Sequence, residues 1–250
     1  LPESLSNGAC SLNAGEDKYA LTCEITLDKY GNRTGGAVYR SILRSTVRGV
    51  YSEVNELLDG TAERALHEKY AAALPVLREM RVLYEKLQRN AAANGVIELS
   101  DAEAEIVLDG EGMPIELRRR ERGVAERMIE QFMLAANKTV AEILHAQGLP
   151  CLYRIHETPE AEKIASFGIF AHNLGLNAGD IVTEAVKNPD KLAKSLQRVM
   201  READERGLGD TVSPVLLRSM MKAKYVAECK PHFGLGAAEY CHFTSPIRRY

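Results

Sequence analysis

The segment 123–146 constrains the fold of this chain most, because its pattern predicts one long amphipathic helix. Apolar residues recur there every three or four positions, which is the spacing that places them on a single helical face. They are Val124, Met128, Ile129, Phe132, Ala136, Val140, Ile143 and Leu144. A helix with one apolar face has to pack that face against other elements, so the rest of the chain must supply a core for it.

Two hairpins are predicted before this helix, and a helical second half after it. Partly alternating apolar residues in 19–27 and 36–43 flank a Gly31-Asn32 turn, and 105–108 and 113–117 flank a glycine-containing loop. The helix-forming segments are 50–58, 62–93, 160–170, 192–205 and 213–226, with Pro214 placed in a first turn. Hairpins followed by helices predict an α+β fold.

Composition is that of a globular protein that folds in water. The 250 residues are 45% hydrophobic and 27% charged, and no apolar run approaches the roughly 18 residues needed to span a bilayer. The formal net charge is −3, which argues against nucleic-acid binding by the whole surface but allows a basic channel. Five cysteines occur without a C-x-x-C pair, so their spacing indicates neither a zinc site nor a disulfide framework. We therefore expect a cytoplasmic protein with reduced thiols and no membrane partner.

The segment 232–250 concentrates the residues that are most informative about function. It contains histidines, aromatic residues, glycines, a Ser-Pro pair and two adjacent arginines. Pro246 favours a rigid bend over 244–247, which would aim Arg248 and Arg249 in a defined direction. Guanidinium groups match pairs of phosphate oxygens, although an ordinary loop with solvated arginines is the competing interpretation.

Several motifs, in order, resemble the ribonuclease II/ribonuclease R family, whose catalytic domain is called RNB. The segment 232–250 is similar to the family signature, HFGLG followed by HFTSPIRRY. The segment 1–12 resembles its Leu-Pro-x-x-Leu-Ser-x-x-x-Cys-Ser-Leu stretch, and 95–98, 130–137 and 153–157 also fit. The resemblance implies an RNB-like α+β fold in which antiparallel hairpins pack with several helices. Residues 1–250 would be the central to C-terminal portion of the catalytic domain, which is then incomplete, with the cold-shock and S1 domains absent.

The resemblance implies part of a processive, magnesium-dependent 3′→5′ exoribonuclease. Such an enzyme degrades single-stranded RNA from its 3′ end to nucleoside 5′-monophosphates, and no obligate protein partner is evident. The family's clustered aspartates, which hold Mg²⁺, fall N-terminal to the residue matching Leu1, and we find no replacement cluster. The isolated chain is therefore expected to be inactive and to have no metal ligands of its own. It begins with Leu rather than Met, and we expect it to be a piece of a longer protein.

The same resemblance assigns roles to individual residues. Arg248 matches the arginine at the cleaved phosphate, where a fixed guanidinium stabilises transition-state charge. Glu130 matches an acidic residue that holds the ribose-phosphate chain near its 3′ end, and Tyr51 an aromatic face that contacts nucleotides. Arg249 and Tyr250 either face the RNA or brace the bend.

Each of these residues also has an ordinary structural interpretation. Glu130 and Arg127 have the spacing of an ordinary i,i+3 ion pair on a face that Asn137 shares, and a lone tyrosine such as Tyr51 is most often a core residue. The cluster Arg118, Arg119, Arg120 and Arg122 suits either a channel wall or a solvated loop. Tyr153, Arg154 and His156 match the family but are expected to be structural. Leu99 replaces a family phenylalanine that clamps the terminal base, which puts that clamp in doubt.

Two other functions remain open at the level of sequence. One is a non-catalytic RNA-binding protein of the RNB fold whose full-length chain has lost its metal ligands. The other is a helical protein-interaction domain, which predicts no salt-dependent affinity for single-stranded RNA.

Overall fold

The computed structural model describes residues 2–97, 103–120, 122–184 and 188–244. The chain divides into two compact units, of which the first comprises Leu1–Asn90 and Arg122–Ile143 and the second comprises Ala91–Glu121 and Leu144–Tyr250. Each unit is described by itself.

The first unit begins with a π-helical turn, Ser4–Ala9, and the predicted hairpin of strands β1 and β2. Strand β1 (Asp17–Leu27) pairs antiparallel with β2 (Arg33–Arg44), in a register that runs from Asp17 opposite Arg44 to Leu27 opposite Arg33. Gly31 adopts a φ of 85° in the turn, a conformation that favours glycine. The hairpin prediction is confirmed, with longer strands than the sequence indicated.

Helices α1 (Tyr51–Asp59), α2 (Arg64–Lys69) and α3 (Leu74–Ala93) follow the hairpin. The prediction of a single helix over 62–93 is wrong, because the chain turns at 70–73 before α3 begins. Pro75 lacks an amide hydrogen and its ring excludes the helical position of the carbonyl four residues earlier, so it suits the first turn of a new helix. Tyr70, which is 1% exposed, is buried at this turn with Val54, Leu57 and Ala125 in the core of the unit.

Helix α4 (Val124–Ala146) confirms the long amphipathic helix expected over 123–146. Its buried face includes Ala125, Met128, Val140 and Ala141. The hairpin lies close against it: a Cβ at Gly36 would stand 2.9 Å from the Cγ2 of Thr139. Only a residue without a side chain allows this approach of strand and helix.

The described residues of the second unit form one more hairpin, a second antiparallel strand pair and a group of helices. Strand β3 (Glu103–Leu108) pairs with β4 (Pro114–Arg120), and β5 (Tyr153–Ile155) pairs with β6 (Lys224–Val226), both antiparallel. The helices are α5 (Ala161–Asn173), α6 (Gly179–Glu184), α7 (Pro189–Glu205) and α8 (Gly209–Ser219). Their apolar faces form one core with Ile164, Phe167, Leu196 and Leu216 at its centre, which Phe233 joins from the C-terminal segment.

Several details of the helical half differ from the sequence prediction. The helix expected over 213–226 is displaced: α8 begins at Gly209 and ends at Ser219, so Pro214 lies inside it rather than in its first turn. Residues 224–226 form β6 instead, because pairing with β5 satisfies their backbone groups. Strand β5 and helix α6 were not predicted, since segments this short carry little periodicity.

The α+β class, with antiparallel hairpins and a helix-rich second half, is therefore confirmed. Within the described ranges, no helix combines the length and apolar character that a membrane span requires.

Candidate functional site

Tyr51, a candidate RNA-contacting residue, is the first residue of α1 and is 45% exposed. The competing interpretation of Tyr51 as a buried core residue is therefore wrong. The backbone just before it is held by Tyr70, whose hydroxyl accepts a hydrogen bond from the Val50 amide at 3.1 Å. The start of α1 is thus fixed while the Tyr51 ring remains partly accessible.

Tyr70 also ties this helix start to a charged pair. Its hydroxyl donates to the carboxylate of Glu53 at 2.5 Å, and the ammonium of Lys69 donates to the same carboxylate at 2.6 Å. Burial raises the pKa of Tyr70, and the bond to Glu53 raises it further. The hydrogen bond from Lys69, and then that from Tyr70, lower the pKa of Glu53. Glu53 is therefore an anion at neutral pH, and it lies in the first turn of α1.

Glu130, the second candidate, lies on an exposed part of α4. Its carboxylate forms an ion pair with Arg122, 2.9 Å from Nη2 to Oε2, rather than the i,i+3 pair with Arg127 that the spacing suggested. Asn137, which the helical period places on the same face, is only 2% exposed. The three residues therefore do not form one solvent-facing polar stripe. Glu130 and Arg127 are exposed, whereas Asn137 is part of the interior.

Asn55 joins the two helices that carry these candidates. Its Oδ1 accepts a hydrogen bond from the Ala125 amide at 2.8 Å, and its Nδ2 donates to the Glu126 carboxylate at 3.0 Å. The first amides of a helix have no partner within the helix, so Asn55 acts as a cap supplied by another helix. Tyr51 precedes Asn55 by one turn of α1, and Glu130 follows Glu126 by one turn of α4. The contact fixes both elements in the first unit.

The C-terminal segment up to Thr244 is anchored in the second unit by a histidine–aromatic cluster. We use this name for a series of edge-on ring contacts whose members are Phe233, His156, His232, Tyr240, His242 and Tyr225. The His156 and His232 rings are 5.1 Å apart, and the Tyr225 hydroxyl lies 2.5 Å from Nδ1 of His242. The HFGLG motif thus forms packing contacts in the described structure.

His156 belongs to this cluster, and Arg154 packs against its member Tyr225. Nδ1 of His156 accepts a hydrogen bond from the Gly234 amide at 3.3 Å, and burial lowers the pKa of His156, so the ring is neutral at pH 7. The guanidinium of Arg154 stacks on Tyr225 with 4.6 Å to the ring centre. Tyr153 is 4% exposed in β5. These contacts hold the chain that leads to the arginine pair.

The proposed catalytic group itself lies outside the described residues. Arg248, Arg249 and Tyr250 belong to 245–250, as does most of the bend predicted over 244–247, and Leu99 lies in 98–102. Of the basic cluster, Arg118 pairs with Glu116 at 2.6 Å and Arg122 with Glu130. Both guanidinium groups are already balanced by carboxylates.

One further group of potential ligands comes from the described part of the chain. Ligand atoms of His145, Cys229 and Glu239 all lie within 4.8 Å of one another, and no other trio of His, Cys, Asp or Glu in that part meets the same condition. The five cysteines are free thiols, of which Cys241 is buried. Mg²⁺ prefers oxygen ligands, and only Glu239 of the trio offers them.

Sequence reasoning missed Tyr70 and Asn55, and it named Arg122 only as part of a basic cluster, without its ion pair to Glu130. A tyrosine at the break of a helical pattern and an arginine just before a helix give weak signals. Asn55 lies seventy residues from the amide it caps, so local sequence carries no sign of the contact.

Comparisons with known proteins show which family and which fold this chain resembles. The family model described as RNB domain matches residues 1–250. Ribonuclease R 1 of Lactococcus lactis is 40% identical over the whole chain, which covers 30% of that protein. The structure of Mycoplasma genitalium RNase R in complex with ribose methylated single-stranded RNA is similar at a TM-score of 0.87 and 31% identity. That match covers 99% of this chain and 37% of the other.

A more distant likeness bears on the fold alone. The structure of yeast Ssd1, a pseudonuclease, matches at a TM-score of 0.69 and 20% identity, over all of this chain and 29% of that one. The chain spans about a third of the length of these relatives.

Proposed function

We propose that this chain, which belongs to the RNB domain family, is part of a processive 3′→5′ exoribonuclease that hydrolyses single-stranded RNA to nucleoside 5′-monophosphates. The observation that carries the proposal is the RNB match over residues 1–250, with relatives named ribonuclease R at up to 40% identity. A similar solved structure is of an RNase R bound to single-stranded RNA, which supports RNA as the substrate class.

In this proposal Tyr51 and Glu130 contact the RNA. The half-exposed ring of Tyr51 offers a face on which any base can stack, a contact worth about 1–3 kcal/mol per base. Glu130 is exposed and accepts hydrogen bonds, as a residue that positions ribose hydroxyls must. The ion pair with Arg122 orients its carboxylate and offsets its charge beside phosphates.

Arg248 is assigned the catalytic role, with Arg249 and Tyr250 as neighbouring RNA contacts. During attack by water, negative charge grows on the phosphate oxygens and on the leaving oxygen. A guanidinium held there stabilises the transition state more than the ground state.

Magnesium does not fit the residues of the described structure. The one group of three potential ligands there contains an imidazole, a thiol and a single carboxylate, whereas Mg²⁺ prefers oxygen ligands. We therefore derive no step through magnesium from this chain. The proposal assigns its ligands to sequence outside the chain and expects the chain alone to be inactive.

The test is the hydrolysis of a 5′-labelled oligoadenylate by the full-length protein. Wild type should release 5′-AMP and shorten the labelled strand from its 3′ end. Arg248→Ala should lower kcat about 10²- to 10³-fold, as loss of one transition-state donor does. Arg218→Ala, at an exposed position near the end of α8, is the matched control and should keep the wild-type rate. An unchanged kcat for Arg248→Ala would remove the catalytic assignment.

The alternative is a non-catalytic RNA-binding protein of the same fold. What keeps this alternative open is that the trio of potential metal ligands found among the described residues is not a magnesium-binding set. A full-length protein that binds oligoadenylate with magnesium present but releases no nucleotide would establish it.

A further inference from the structure

The cysteines are spread along the sequence, but the fold gathers three of them with a histidine and a glutamate. Cys151 precedes β5 and Cys229 follows β6. The backbone of Cys241 forms an isolated β-bridge with Tyr153 in β5. His145 lies near the end of α4, and its ring packs edge-on against Tyr153, with ring centres 6.3 Å apart. All of these residues belong to the second unit.

The separations within the group suit one metal ion after a small adjustment. Ligand atoms of His145, Cys229 and Glu239 lie within 4.8 Å of one another. Bond lengths of roughly 2.0–2.3 Å to tetrahedral zinc place ligand atoms about 3–4 Å apart. Side-chain rotation by about 1 Å closes that difference, and the exposed His145 has room for it.

The surroundings of these residues also favour a cation. No cationic side chain of the described residues forms an ion pair with the half-buried Glu239. The Cys229 thiol and the Glu239 carboxylate lie within reach of one ion, and a divalent cation between them would stabilise the anionic forms of both groups.

We propose that His145, Cys229 and Glu239 form a transition-metal site, with zinc as the best-suited ion. Imidazole, thiolate and carboxylate are all zinc ligands, and a thiolate selects against magnesium and calcium. Cys151 is the neighbouring thiol available to complete a four-ligand set. The Tyr153 hydroxyl, 3.5 Å from Nδ1 of His145, supplies the outer-shell contact that orients a ligating ring.

A metal ion at this site would cross-link three segments of the second unit that are far apart in sequence. It joins the end of α4, the chain after β6, and the loop that leads into the histidine–aromatic cluster. Metal binding would therefore stabilise the segment that precedes Thr244, separately from any chemistry on RNA. The proposal stands whether or not the parent protein is a nuclease.

The first experiment measures metal content and binding mode in the tag-free, reduced chain. After dialysis against zinc and then metal-free buffer, mass spectrometry should find one zinc per chain. Cobalt should give thiolate-to-metal charge transfer in the near ultraviolet and the intense visible bands of tetrahedral coordination. This readout uses the wild type alone, so it does not depend on any variant folding. Absence of bound zinc, or cobalt binding without the thiolate band, overturns the proposal.

The second experiment compares matched variants. His145→Ala and Cys229→Ser should each weaken zinc binding by at least about 10- to 100-fold. The controls His172→Ala and Cys10→Ser, both at exposed positions, should bind zinc as the wild type does. Zinc at about 100 times its Kd should raise Tm by about 5–10 °C in wild type and controls only. Equal affinity in ligand variants and controls, or equal loss in both, overturns the site.

Discussion

At the residue scale, the carboxylate of Asp180 contributes to the stability of the second unit by linking two of its helices. Its Oδ2 accepts a hydrogen bond from Ser195 at 2.6 Å, and its Oδ1 accepts one from Arg198 at 2.5 Å. Burial alone would raise the pKa of Asp180, but the bonds from Ser195 and Arg198 outweigh it and lower the pKa below its usual range. The carboxylate thereby joins α6 to α7.

We expect the stabilisation by Asp180 to depend on pH. A lowered pKa in the folded state stabilises the protein above the unfolded value of about 3.9, and this contribution is lost as pH falls through the folded pKa. Asp180→Asn should therefore be less stable than wild type at pH 7, by about 1 kcal/mol or less because the side chain is partly solvated. The difference should shrink towards pH 2. Urea unfolding at both pH values measures it.

The control for this effect is Asp59→Asn, which changes an exposed carboxylate at the end of α1. It should leave the free energy of unfolding nearly unchanged at both pH values. A deficit in Asp180→Asn that is the same at pH 7 and pH 2 would contradict the linkage.

At the element scale, the cap that Asn55 supplies to α4 connects the helices carrying Tyr51 and Glu130. Gly123 stands just before α4, where a Cβ would lie 2.1 Å from Nδ2 of Asn55. The Asn55 amide can therefore cap α4 only because Gly123 has no side chain.

A double-mutant cycle tests this contact. Asn55→Ala should cost about 0.5–2 kcal/mol of unfolding free energy, the usual loss for a helix N-cap. Gly123→Ala should cost a similar amount, because its methyl group displaces the Asn55 amide. The double variant should be no less stable than either single variant, since the clash disappears with the amide. Chemical denaturation measures all four proteins.

Asn173→Ala, at an exposed position at the end of α5, is the matched control for loss of an asparagine side chain. It should stay within about 0.5 kcal/mol of wild type. Additive effects of Asn55→Ala and Gly123→Ala would show that they act independently and contradict the shared contact.

At the scale of the whole molecule, the net charge of −3 limits how RNA can be bound. A chain with more acidic than basic residues has to bind a polyanion through a local basic surface, and many of its arginines are already paired with carboxylates. Binding then depends on the few cations that face the strand.

We expect the chain alone to bind single-stranded RNA weakly, with an affinity that falls as salt rises. Each phosphate contact adds about −0.7 to the slope of log K against log salt for a single strand. Fluorescence anisotropy of a labelled oligouridylate, titrated at several salt concentrations, measures that slope. A zero slope, or no binding at low salt, would favour the protein-interaction alternative.

Sequence patterns alone predicted the long α4, the hairpins β1–β2 and β3–β4, and the α+β class. These features depend on hydrophobic periodicity and turn residues, and both signals lie within the segment that forms each element. The family motifs likewise predicted the RNB domain, because they combine uncommon residues at fixed spacing. Cytoplasmic location and the roles of Arg248, Arg249 and Tyr250 stay predictions.

Tertiary structure decided what depends on partners distant in the chain. Tyr70 ends a helical pattern by packing into a core, β6 replaces the end of a predicted helix by pairing with β5, and Glu130 pairs with Arg122 rather than Arg127. The cysteine spacing indicated no metal site, yet the fold places Cys229 beside His145 and Glu239. The physical reason is the same in each case: hydrogen bonds, ion pairs and metal coordination depend on distance in space, and only the folded chain sets that distance.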